Sequence, residues 1–104
     1  MLVPVAFHPP AAAEIDRAYT WYQNVRVGLG DEFLGCIDAM VSRVARGPAD
    51  YPMVYPEVRR ALVHRFPYAM FYLVEPGRVV VLAVLHVRQD SSAVAARAVD
   101  EEDG

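Results

Sequence analysis

The chain has 104 residues, 55% of them hydrophobic and 22% charged, which suits one globular domain and excludes a disordered chain. No apolar run approaches the ~20 residues that span a bilayer, and the N-terminus lacks the cationic and apolar segments of a signal peptide, so a cytoplasmic protein is expected. The formal net charge is −3, but four of the thirteen acids are Asp100, Glu101, Glu102 and Asp103; over residues 1–99 ten arginines face nine carboxylates, which argues against a broad basic field for nucleic acid.

Val3 to Phe7 reads as a first strand, stopped by His8-Pro9-Pro10. Pro10 suits the first turn of a helix, where its missing N–H costs nothing. From Ala11 to about Val27, Ile15, Ala18, Tyr19 and Tyr22 fall at helical spacing. Gly28-Leu29-Gly30 interrupts, and a second helix is expected from Asp31 to about Arg46. Its apolar stripe is Phe33, Ile37, Met40, Val41 and Val44, and Gly47-Pro48 stops it. A short glycine link makes the two helices an antiparallel hairpin.

Residues 48–57 hold Pro48, Pro52 and Pro56 and read as a loop. Strands are expected at roughly 58–66, 68–75 and 78–88, with Pro76-Gly77 at the second turn. Ser91 to Val99 reads as a short C-terminal helix. Residues 1–99 then form the domain, and 100–104 an acidic, disordered tail.

The order β-α-α-β-β-β gives an α+β fold with the helical hairpin on one face of an antiparallel sheet. Counting directions through these elements makes the first strand antiparallel to the last. Residues 79–85 are apolar on both faces, as is much of 68–74. The hairpin covers only one face. The other is expected to be an open groove containing Val80, Leu82 and Val84, and so to bind a partner or a second copy.

Several residue types carry chemistry. His86 and Arg88, two apart on an expected strand, would share a face and could join acid–base chemistry to charge stabilisation. A strand-end pair serving loops is the simpler role. Arg59, Arg60 and Arg65 suit either the carboxylates of a protein partner or a solvated strand edge. The aromatic residues read mainly as core. No Cys/His spacing suggests a metal site, and no glycine-rich loop suggests a phosphate or a cofactor. The single Cys36 excludes an internal disulfide, and there is no lysine.

The segments Ala18-Tyr19-Thr20-Trp21-Tyr22, Gly28 to Phe33, Pro48 to Pro52, Arg59-Arg60-Ala61-Leu62, Arg65-Phe66-Pro67-Tyr68, Phe71-Tyr72 and Val84 to Asp90 occur in an order that resembles the RelE/ParE superfamily. These are the toxin halves of bacterial type II toxin–antitoxin systems, including plasmid stabilisation proteins. The resemblance implies a growth-inhibiting toxin bound by a cognate antitoxin, with Arg59, Arg60 and the apolar strand residues as the expected contacts.

RelE-like members cleave messenger RNA on the ribosome, whereas ParE-like members inhibit DNA gyrase. Here Ala69 follows Tyr68 and Gln89 precedes Asp90, at positions where the nuclease branch often carries arginine. Residues 91–99 contain no tyrosine. The resemblance therefore points to gyrase inhibition by binding. The alternatives are a ribosome-dependent endoribonuclease using Arg65, His86 and Arg88, or an inactive member that only binds its partner.

Overall fold

The computed structural model describes residues 2–103, apart from the side chains of 102 and 103. Strand β1 (Val5–Phe7) leads into helices α1 (Pro9–Val25) and α2 (Leu29–Arg46). A 3₁₀ turn at Pro48–Asp50 follows, then β2 (Met53–Tyr55), β3 (Val58–Leu62), β4 (Tyr68–Glu75), β5 (Arg78–His86) and helix α3 (Ala93–Asp103). The sheet order is β1-β5-β4-β3-β2, with the α1–α2 hairpin on one face and α3 on the other.

The hairpin turns tightly for local reasons. Gly28 has φ +93°, a conformation that a side chain disfavours. A Cβ on Gly30 would stand 2.7 Å from the Tyr19 carbonyl oxygen, so only glycine lets the helices approach this closely. The Gln23 side chain accepts hydrogen bonds from the N–H groups of Gly28 (3.0 Å) and Gly30 (2.8 Å), satisfying donors at the start of α2.

Two expectations fail together. Strand β1 pairs with β5 in parallel, at Val5–Val79, Ala6–Val80 and Phe7–Val81, so the sheet is not antiparallel throughout. The cause is β2, which lies in the proline-rich stretch read as loop. This one unrecognised strand adds one reversal of direction and inverts the relation between first and last strands. The remaining strand pairs are antiparallel.

The face expected to lie open is closed. Val80, Leu82 and Val84 are all buried, at 1% exposure or less. Helix α3 sets Val94 and Ala98 against Val80, Leu82, Phe71, Leu73 and Leu85. Nor do the three valine and leucine positions form one stripe. A bulge places Leu82 between Val81, opposite Tyr72, and Ala83, opposite Phe71. An extra residue reverses the inward–outward alternation beyond it. Val80 and Leu82 therefore belong to the α3 side, and Val84 packs with Ala18, Tyr22 and Met70 under the hairpin.

The acidic stretch, expected as a disordered tail, continues α3 through Asp103. The Glu101 carboxylate lies 3.2 Å from His8 Nδ1 and 3.6 Å from an Arg78 nitrogen. Gly104 lies outside the described residues.

Candidate functional site

Beyond Phe7 the chain leaves the sheet to begin α1, which leaves backbone groups of β5 without a strand partner. Glu14, in the second turn of α1, supplies one. Its Oε1 accepts the N–H of Val84 at 3.0 Å. Arg97 of α3 forks onto both oxygens of Glu14, at 3.1 and 2.9 Å, and also donates to the Leu82 carbonyl at 3.0 Å. The pair thus satisfies the backbone at the bulge and just beyond it, and joins the two helical layers. Sequence reasoning named neither Glu14 nor Arg97 as a site residue. The signal was present: Ala11, Glu14, Ala18 and Tyr22 form one buried stripe, with a carboxylate among apolar side chains.

Next to this pair along β5, a groove of about 200 Å³ opens on the α3 face. Its floor is Ala69, Phe71 and Leu85, and its rim includes Arg60, His86 and Gln89. Ala69 and Gln89, twenty residues apart, are the two positions singled out in the sequence for lacking arginine. Pairing of β4 with β5 brings them to one place, because Ala69 lies opposite Leu85 and Tyr68 opposite His86. Tyr55 closes the groove toward α3, its hydroxyl 2.7 Å from that of Ser91.

The candidate catalytic residues are not brought together here. Arg65 sits in the turn before β4 with φ +70°, and its guanidinium binds Glu32 of α2 at 2.8 Å. Arg26 holds the other Glu32 oxygen at 2.9 Å. Hydrogen bonds from Arg65 and then Arg26 keep the Glu32 carboxyl below its ordinary range and raise the Arg65 guanidinium, so the pair stays ionised.

His86 and Arg88 do not share a strand face, since β5 ends at His86 and residues 87–89 turn away. Instead the Arg88 N–H donates to His86 Nδ1 at 3.1 Å, and the His86 N–H donates to the Gln89 side chain at 2.8 Å. The neutral ring then carries its proton on Nε2. Its other contact is an edge-on packing against Tyr68, centroids 5.4 Å apart.

Of the two expected partner contacts on β3, Arg59 is already used. It donates to the carbonyls of Ala49 (3.3 Å) and Tyr51 (2.6 Å), pinning the proline-rich loop to the sheet. Arg60 points to the opposite face and lines the groove. The groove therefore holds one guanidinium and one imidazole over an apolar floor. That is enough to bind and orient a polar group. It lacks the several convergent charges that stabilise a phosphorane. Among the described residues no group of three or more His, Cys, Asp or Glu is placed to hold a metal, and no helix is long and apolar enough to cross a membrane.

This arrangement of a helical hairpin on a small, mostly antiparallel sheet is shared with known toxins. A chain of the chromosomal ParDE TA system from P. aeruginosa superposes with a TM-score of 0.73 at 19% identity, covering 82% of this chain and 96% of that one. The E. coli toxin RelE, as a mutant in the free state, superposes with a TM-score of 0.56 at 17% identity, covering 97% and 98%. These likenesses define the fold. Residues 5–91 match the family described as the ParE toxin of the type II toxin–antitoxin system parDE. The chain belongs to that family, and is the toxin component of a type II toxin–antitoxin system. No curated protein matches the chain.

Proposed function

We propose that this toxin arrests growth in the cytoplasm by binding and inhibiting DNA gyrase, and that a cognate antitoxin neutralises it. The observation that carries this reading is the composition of the groove. The positions where nuclease-type relatives often place arginine hold Ala69 and Gln89, and Arg65 is committed to Glu32 elsewhere. Cleavage of RNA needs a base, an acid and charge stabilisation around one phosphate. A protein-binding toxin needs none of these.

The antitoxin reading has a structural consequence. Val80 and Leu82 face α3, so an antitoxin segment that uses them takes the place of α3. That helix is a weak cover. Among its described side chains only Val94 and Ala98 are buried, and polar contacts add to its hold, through Arg97 and Glu101 and through Ser91 just before it.

The test is to induce the chain alone in a bacterium and follow the three syntheses. Early arrest of DNA synthesis with an SOS response, and inhibition of supercoiling by the purified chain, is the expected result. Early arrest of translation with message cleavage that is lost in His86→Ala would replace this reading with the endoribonuclease. No effect on growth would leave a protein that only binds its partner.

A further inference from the structure

Trp21 is the single tryptophan of the chain, and it stands 62% exposed on α1. It is not loosely held. Its ring packs edge-on against Tyr22, centroids 5.0 Å apart, and Tyr22 is buried against Phe33 and Phe66. The indole is therefore presented to solvent from a rigid aromatic base.

Three depressions meet at this side chain. One, of about 430 Å³, runs between Trp21, Tyr22, Pro67, Tyr68 and His86. A second, of about 230 Å³, continues past Tyr68 to Arg17 and Gln89. The third, of about 450 Å³, lies along α1 with Arg17, Thr20 and Asn24. This surface lies on the hairpin side and shares only His86 and Gln89, at the sheet end, with the groove described above.

The charges select the occupant. Arg17 lines two of the depressions and makes no ion pair or side-chain hydrogen bond among the described residues. Of the two nearby carboxylates, Glu14 is held by Arg97 and Val84, and Asp16 lies in the third depression, along the helix. A free guanidinium beside a fixed indole suits a carboxylate next to an apolar side chain. Bases of single-stranded nucleic acid also stack on tryptophan, but such sites track the backbone with a row of cations. Among the residues lining the three depressions Arg17 is the one arginine, so no such row is present there.

We propose that Trp21 and Arg17 form the docking point for a peptide segment of a partner protein, one that carries an aromatic or branched apolar residue beside an acidic one. The apolar side chain enters the depression between Trp21, Pro67 and Tyr68, and the carboxylate forks with Arg17. On the reading that this toxin acts by binding a protein, this is the surface that grips the target.

The full-length chain is used to select from a random-sequence peptide library displayed on phage. Selected peptides are expected to pair an acidic residue with an aromatic or branched one, and to shift the emission of Trp21, the only indole present. Arg17→Glu, read by Trp21 emission, and Trp21→Ala, read by anisotropy of a labelled peptide, should each weaken binding at least about tenfold. Both positions are exposed, so circular dichroism should be unchanged. Failure to select any peptide, selected peptides without acidic residues, or unchanged affinity in both variants overturns the proposal. So does a thymidine oligonucleotide that shifts Trp21 emission at lower concentration than the peptides.

In parallel, Trp21→Ala should lose supercoiling inhibition at least about tenfold. If the unaltered chain does not inhibit gyrase, the target assignment falls, and the peptide experiment still judges the surface.

Discussion

The two faces of the sheet are closed by different physics. On the hairpin face, α1 and α2 lay a continuous apolar layer over the strands. Phe33, Tyr22, Phe66 and Tyr68 form a cluster of mutually edge-on and tilted rings, with centroids between 4.9 and 6.2 Å apart. On the other face, among the described side chains of α3 only Val94 and Ala98 are buried, and the helix relies on hydrogen bonds and ion pairs near its two ends and at its middle. The first closure is a core. The second is a clasp whose strength depends on a few polar contacts that water or another chain can replace.

The largest expected effect tests the core. Phe33→Ala removes a ring with no exposure at the centre of the aromatic cluster, and should lower unfolding free energy by about 4 kcal/mol in denaturant titration. A loss below about 1.5 kcal/mol would mean that the hairpin face is no better packed than the α3 face.

Next is the clasp. Glu14→Ala leaves Arg97 and the Val84 N–H without their partner, and should cost about 3 kcal/mol. In hydrogen exchange the loss should show first in α3, whose amides then open well below the global unfolding free energy. If α3 and β4 exchange together, the two faces form one cooperative unit and the contrast is wrong.

Tyr72 gives a smaller effect with a signature in pH. Its ring is fully buried in the hairpin-face core, and its hydroxyl donates to the Pro48 carbonyl at 2.6 Å. Burial pushes its phenol from 10.0 up to about 12. The folded state therefore keeps a proton that the unfolded state releases, so stability falls as pH rises from about 10 toward 12. Tyr72→Phe should cost about 1 kcal/mol at neutral pH and flatten that alkaline decline. An unchanged alkaline slope would assign the decline to Tyr22 and Tyr68, which burial also raises.

The smallest effect is at the end of α3. Glu101 meets His8 and Arg78 in contacts that remain partly open to water, so Glu101→Ala should cost about 0.5 kcal/mol or less. A loss several times larger would make the C-terminal turn a structural part of the clasp.

The sequence by itself determined the types and order of every element except β2, because helical spacing, proline and glycine stops and apolar strand runs are local signals. The resemblance to the RelE/ParE superfamily marked Ala69 and Gln89 as unusual before their meeting in one groove was visible. The sequence did not determine direction, since β2 is only three residues long between prolines and carries little periodicity, yet it inverts the pairing of β1 with β5. Nor could alternation alone assign Val80, Leu82 and Val84 to faces, because a bulge is a property of two paired strands and not of one. His86 and Arg88 were legible as residue types, but whether β5 extends past His86 depends on the turn that Gln89 and the His86 ring stabilise. The same holds for the Glu14–Arg97 pair, separated by 83 positions: its two charges are stable side by side only because folding removes water from around them and supplies the backbone groups of β5 as further partners.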